Sequence, residues 1–257
     1  QVVTNGAITS PTGINYQNLE ISGTGIKTVA GNTLVNNLTT VKSAELRIPK
    51  TSDAIDPIVF TAASGLNVEA AGIFRLENNA QLMQNPTLTV ATTANNSGSI
   101  IAERDVTDMD NVYATQMDYV YWSSPVTDQL TASFSPGTAD AFFMDYKEAD
   151  DYFYPTTDTS FQRGKGYAVG AETTKPNQYS DTYRFTGTPN NGAFDGQTLL
   201  KTGGGYNLVG NPYPSNIDLD ALFLLNFDRI ATIAFMWTNA GYTPTQMGSG
   251  YNGNNYA

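Results

Sequence analysis

Carboxylates and tyrosines are concentrated in one short stretch of the chain. The residues there are Asp145, Tyr146, Glu148, Asp150, Asp151, Tyr152 and Tyr154. Two carboxylates about 5–10 Å apart can hydrolyse a glycosidic bond, and carboxylates beside aromatic faces can bind a sugar. If the stretch is a strand, Asp150 and Asp151 point to opposite faces, which disfavours the paired chemistry. Three interpretations stay open: a surface loop, a ligand-binding site and a catalytic site.

A second group of oxygen-bearing side chains has the spacing of a possible metal site. It consists of Asp105, Asp108, Asp110 and Asn111. Such ligands can hold Ca²⁺ in a loop, and extracellular modules often bind this ion weakly. The EF-hand pattern is not met, because no glycine and no distal glutamate fall at its required positions. The alternatives are a structural calcium site and a solvated acidic turn, and no other cofactor is expected.

Residue types that usually carry catalysis are missing from the chain. It has 257 residues and contains neither histidine nor cysteine, so the commonest general base and the thiolate nucleophile are absent. Ser123 and Ser124 precede Pro125, but they lack a histidine base and no Ser-x-x-Lys motif follows. We therefore expect a protein that is not an enzyme.

The charge of the chain argues against one class of partner, and its hydropathy argues against a membrane-spanning helix. The formal net charge is −11, with only 13 lysines and arginines. Nucleic acid binding depends on neutralising phosphates, so nucleic acid is a poor partner for this surface. No apolar run reaches the ~18 residues that a membrane-spanning helix needs, and no membrane span is expected.

The elements that position these residues are predicted to be strands. Only 14% of the residues are charged, compared with about 25% in an average domain, and short alternating segments are separated by Gly and Asn. This pattern over residues 1–98 predicts either a small β-solenoid or a sandwich. The predicted strands cover residues 19–21, 26–29, 33–35, 38–41, 44–48, 58–60, 66–68, 73–76, 82–83 and 88–90.

Aromatic residues become dense after the polar cluster at residues 95–98, and we place a domain boundary there. Residues 99–257 are predicted to form a β-sandwich-like domain, so the whole chain is all-β. Its predicted strands cover residues 166–169, 183–185, 206–209 and 230–237, and Asn191-Gly192 is a hairpin signal. One short helix is predicted at residues 216–225 with Ser215 as N-cap, and Trp122 and Trp237 are expected in the core.

The second part of the chain contains five ordered phrases, YWSSPV (121–126), GKGYAV (164–169), FTGTPNNG (185–192), YNLVGNPYPS (206–215) and FMWTN (235–239). Together they resemble a module of large secreted surface proteins of Bacteroidota, the Flavobacterium-like bacteria. An upstream phrase at residues 74–84 is similar to the one that precedes this module. The glycines and prolines of the five phrases are expected to set the backbone conformation of turns. The resemblance supplies no catalytic residue.

The resemblance implies a location and a route. Such proteins pass through the periplasm and are exported by the type IX secretion machinery to the cell surface, so an extracellular location is expected. Gln1 suits the N-terminus left by signal cleavage, and the family pattern usually continues beyond Ala257, which implies a domain truncated at its C-terminal end. The expected partners are another surface protein, the missing C-terminal part or another copy of the chain. The expected function is adhesion or a structural building block of a surface assembly, and the alternative is a carbohydrate-binding module of a secreted polysaccharide-processing system.

Overall fold

The computed structural model of the chain describes residues 15–51, 56–84, 95–112, 116–195 and 197–236. Within these residues the fold is mostly β, as the sequence predicts. The predicted strand at residues 88–90 and the predicted core residue Trp237 lie outside the described residues. The strands of the first part are β1 (Asn15–Tyr16), β2 (Leu19–Ile21), β3 (Ile26–Thr28), β4 (Thr33–Val35), β5 (Leu38–Val41), β6 (Glu45–Ile48), β7 (Val59–Ala62), β8 (Gly65–Val68), β9 (Ile73–Leu76), β10 (Gln81–Met83), β11 (Asn96–Ser97) and β12 (Ile100–Met109).

These strands form a β-solenoid, one of the two architectures that the sequence left open. Consecutive strands belong to different sheets, and strands three apart in the chain pair in parallel. The sheet orders are β1-β4-β7-β10, β2-β5-β8-β11 and β3-β6-β9-β12. Each coil of the chain therefore contributes one strand to each sheet, and the sandwich alternative does not apply to this part.

Stacked side chains fill the interior of the solenoid. Leu19, Thr39 and Leu66 are register partners in successive coils, and each is almost completely buried. The rings of Phe60 and Phe74 pack edge to face, with their centroids 5.5 Å apart. Because alternate residues along each strand point inward, these coils bury a continuous apolar core, and removing it from water is the main driving force for stacking them.

The second part adds antiparallel strands and short helices. The elements are β13 (Asn111–Val112), β14 (Gln116–Met117), β15 (Tyr119–Trp122), α1 (Thr131–Phe134), a 3₁₀ helix (Asp140–Phe142), β16 (Phe143–Lys147), β17 (Tyr152–Pro155), β18 (Tyr167–Gly170), β19 (Tyr179–Gly187) and α2 (Leu219–Leu225). Four of the strands form a sheet with the order β15-β18-β16-β17, and β13 pairs with β14.

One sheet continues from the solenoid into the second part. The predicted boundary near residue 98 falls between β11 and β12. On one side β12 pairs in parallel with β9, and on the other it pairs antiparallel with β19 over most of its length. The backbone ladder therefore crosses the predicted boundary without a break.

An ion-pair ladder crosses the same sheet. Glu45 Oε1 accepts from Arg75 Nε at 3.0 Å, and Arg75 Nη1 donates to Glu103 Oε1 at 2.6 Å. Arg184 Nε on β19 donates to the same Glu103 oxygen at 3.0 Å. These charged side chains link β6, β9, β12 and β19, so polar contacts reinforce the junction that the backbone ladder makes.

Several local predictions for the second part are corrected by the structure. The helix α2 begins after Asp218, whose side chain accepts from the Ala221 N–H, so the N-cap is not Ser215. Residues 206–209 form only a single bridge, from Val209 to Lys165, and residues 230–236 form no strand. Asn191-Gly192 does not lead into a hairpin, because no strand follows β19 within the described residues.

Candidate functional site

The acidic and aromatic stretch forms the hairpin β16–β17 and its turn. Asp145 and Tyr154 are cross-strand partners, whereas Asp150 and Asp151 lie in the turn, not in a strand. The Tyr146 hydroxyl donates to Asp151 Oδ1 at 2.6 Å, and the rings of Tyr152 and Tyr154 lie 5.1 Å apart. The predicted ligand-binding residues are therefore neighbours in space as well as in sequence.

Glu148 clamps a distant loop onto this hairpin. Its Oε2 accepts from the Thr202 N–H at 2.9 Å and from the Thr202 hydroxyl at 2.7 Å. Its Oε1 accepts from the N–H groups of Gly203 at 2.8 Å and Gly205 at 2.7 Å. The Thr202 hydroxyl, opposed by burial and helped by the backbone N–H groups, lowers the pKa of Glu148 to about 2, since these bonds favour the ionised carboxylate.

The Glu148 clamp predicts a specific acid response. The folded-state pKa lies below the usual value of 4.5, so the clamp stabilises the fold fully above pH 4.5, and this contribution is lost as the pH falls toward 2. We expect Glu148→Gln to lower the melting temperature near neutral pH and to flatten its fall between pH 4.5 and 2. Thermal melts over this pH range measure the effect.

The control for this experiment is Glu69→Gln, which changes an exposed glutamate of the solenoid. The melting temperature of this variant should fall between pH 4.5 and 2 as steeply as that of the wild type. A Glu148→Gln chain whose melting temperature falls between pH 4.5 and 2 as steeply as that of the wild type would contradict the assigned clamp.

Lys165 neutralises two carboxylates behind the hairpin. Its Nζ lies 2.7 Å from Asp145 Oδ2 and 2.7 Å from Asp158 Oδ2. Burial alone would lower the pKa of Lys165, but hydrogen bonds and attraction from these two carboxylates outweigh it and raise the pKa. The Tyr167 hydroxyl donates to Asp158 at 2.6 Å. Lys165 therefore stays charged and acts as a bridge between carboxylates, which is a structural task.

A cleft of about 660 Å³ lies between the hairpin and residues 197–209. Four of the predicted ligand-binding residues line it, namely Tyr146, Glu148, Asp150 and Tyr154. The sequence interpretation missed the other wall, whose polar residues are Lys165, Gln197, Thr198 and Asn207. Lys165 stands in the phrase GKGYAV, where only the glycines were considered, and no sequence signal placed residues 197–209 opposite the hairpin.

Two of the four predicted calcium ligands, Asp105 and Asn111, bind other parts of the protein with their side chains, whereas the bonds of Asp108 and Asp110 are made by their backbone N–H groups. Asp105 Oδ1 accepts from the Thr182 hydroxyl at 2.7 Å. The backbone N–H of Asp110 donates to Asp118 at 2.8 Å, and that of Asp108 donates to Ser180 at 3.3 Å. The amide of buried Asn111 donates to the carbonyls of residues 172 and 175. Among the described residues, no group of three or more acidic side chains is placed to hold a metal ion.

The phrases of the second part meet one another in space. The Ser123 hydroxyl donates to the Asn211 carbonyl at 3.0 Å, and the Ser124 hydroxyl donates to the Val126 carbonyl at 2.8 Å. The guanidinium of Arg163 lies over the rings of Phe194 and Tyr213, at 4.9 and 5.7 Å from their centroids. The Ser123 hydroxyl therefore joins two distant segments, whereas the Ser124 hydroxyl stabilises a local turn within its own phrase.

Comparisons with known proteins identify a family without assigning a role. A family model described as a domain of unknown function (DUF8693) matches residues 8–257. No curated protein and no solved structure matches the chain. Across the described ranges, the helices are too short or too polar to cross a membrane.

Proposed function

The chain belongs to the family of domains of unknown function DUF8693, and we propose that it is a non-catalytic building block of an extracellular, cell-surface protein. Its task in this proposal is adhesion or surface assembly, after export by the type IX secretion machinery. Its partners are the remainder of its own surface protein, a neighbouring surface protein or another copy of the chain.

The observation that carries this proposal is the continuous sheet between the two parts of the chain. β12 pairs with β9 of the solenoid and with β19 of the aromatic-rich part. Pulling the two parts away from each other would have to break this ladder and the ion pairs of Glu103 together. A stalk or sheath that carries load between a cell and a surface needs such a connection, whereas a flexible linker would not supply it.

The use of the ionisable groups supports the non-catalytic half of the proposal. Asp145 binds the ammonium groups of both Lys147 and Lys165, and Glu148 receives four hydrogen bonds from one loop. General acid–base catalysis needs a group whose pKa lies near the working pH. Glu148 is held far below that range and Lys165 is held above its usual value.

Surface location and adhesion can be tested in the organism that makes the protein. Antibody against the chain should label intact cells, and external protease should remove the label. Deleting the gene should reduce attachment to surfaces without slowing growth. A label that appears only after the cells are permeabilised would contradict the surface location, and unchanged attachment would contradict adhesion and leave surface assembly as the role.

Catalysis is tested separately, with the purified chain and a panel of polysaccharide, ester and peptide substrates. We expect no turnover. Turnover that Asp145→Asn or Glu148→Gln abolishes would overturn the non-catalytic assignment.

A further inference from the structure

We propose that the cleft between the β16–β17 hairpin and residues 197–209 binds an uncharged saccharide. This inference goes beyond the building-block role and does not depend on it, since it rests on the aromatic, polar and charged groups that line the cleft. Its volume of about 660 Å³ lies within the ~300–1,000 Å³ that is usual for clefts that bind small molecules.

The aromatic part of the cleft is a platform held in place before any ligand arrives. Tyr154 is 41% exposed and lines the cleft. Its ring packs against Tyr152, and the negative charge of Asp150 raises the pKa of its phenol. An exposed ring that its neighbours hold in position can accept the apolar face of a pyranose with little loss of side-chain entropy.

The opposite wall of the cleft supplies polar groups that face the Tyr154 side. Gln197 and Thr198 line the cleft with exposed side chains. An amide and a hydroxyl can each donate and accept hydrogen bonds, which suits the hydroxyl groups of a sugar. The Glu148 clamp at Thr202 and Gly203 holds this wall against the hairpin.

The charges of the cleft favour an uncharged ligand over an acidic one. The two lysines that line it, Lys147 and Lys165, both bind Asp145 Oδ2, at 3.0 and 2.7 Å. Asp150 adds a negatively charged carboxylate to the lining of the cleft, and the whole chain carries a net charge of −11. A uronic acid would meet ammonium groups that are already paired and a field that repels it.

The test is a glycan array that carries neutral hexose and N-acetylhexosamine oligosaccharides together with uronate-containing ones. The best neutral oligosaccharide is then titrated calorimetrically into the folded chain. We expect binding to neutral glycans, and at least a tenfold loss of affinity in Tyr154→Ala, because truncating an aromatic anchor typically has an effect of about this size.

Phe227→Ala is the matched control, because Phe227 is 74% exposed and does not line the cleft. It should leave affinity unchanged. If Tyr154→Ala melts early, the double variant Gln197→Ala/Thr198→Ala, which changes only exposed side chains, takes its place and should also weaken binding.

Three outcomes would overturn the saccharide site: no neutral glycan bound, a preference for uronates, or binding that both cleft variants leave intact. Each of these leaves the surface role standing if antibody labels intact cells. Conversely, a chain that binds sugar but is found only inside cells would refute the surface role alone.

Discussion

Phe185→Ala is expected to lower the free energy of unfolding by about 3–5 kcal/mol, the usual effect of truncating a buried aromatic side chain. Phe185 lies on β19 and is only 2% exposed. Its ring centroid lies 4.4 Å from that of Phe134, 5.4 Å from Phe161 and 5.9 Å from Trp122. The substitution therefore leaves a cavity at the centre of this aromatic cluster, where close-packed rings cannot easily collapse. Urea denaturation followed by tryptophan fluorescence measures the change.

The control for Phe185 is again Phe227→Ala, which removes the same side chain from a position 74% exposed to solvent. Its effect should stay within about 0.5 kcal/mol, as for most surface substitutions. If the two variants unfold at the same urea concentration, the aromatic cluster does not stabilise the fold as described.

Gly98→Ala is expected to destabilise the chain by about 2–5 kcal/mol, the sum of a left-handed backbone and an overpacked site. Gly98 lies in the turn between β11 and β12 with a φ of +74°, which side chains rarely adopt. An added Cβ would also overlap the carbonyl oxygen of Val68, the last residue of β8. This backbone atom cannot move away without disturbing the solenoid ladder.

Gly25→Ala separates the two causes, because Gly25 has nearly the same φ, +75°, but open space where the Cβ would stand. Gly25→Ala should lower the free energy of unfolding only through the strained backbone, by about 1–2 kcal/mol. Parallel urea titrations of the two variants give the difference. Equal destabilisation would mean that the close approach of Val68 to Gly98 has no energetic consequence.

The positions of most solenoid strands could be predicted because the alternation of buried and exposed residues is local. Leu19-Glu20-Ile21 and Phe74-Arg75-Leu76 show this pattern, and both segments are strands. Their partners could not be predicted, since Leu19 pairs with Thr39 and Thr39 with Leu66. Alternation looks the same in a parallel coil and in an antiparallel sandwich.

The second part was harder to predict, because its segments depend on partners far along the chain. Residues 206–209 and 230–236 have the composition of strands but no ladder of backbone hydrogen bonds. The helix was predicted at residues 216–225 and is found at Leu219–Leu225, but the predicted N-cap Ser215 was wrong, because the path of the preceding turn makes Asp218 the N-cap. The Pro214 carbonyl accepts from the Leu82 N–H at 2.8 Å, which attaches that turn to β10.

The all-β class and the clustering of carboxylates with tyrosines at residues 145–154 could be predicted from the sequence, because both follow from residues that are neighbours in the chain. The position of Lys165 between Asp145 and Asp158, and the cleft wall at residues 197–209, result from the packing of distant segments. Glu148 and Thr202 illustrate why such features could not be predicted. Their hydrogen bond joins residues far apart in sequence, and such contacts depend on how the whole chain packs, which no local pattern of residue types encodes.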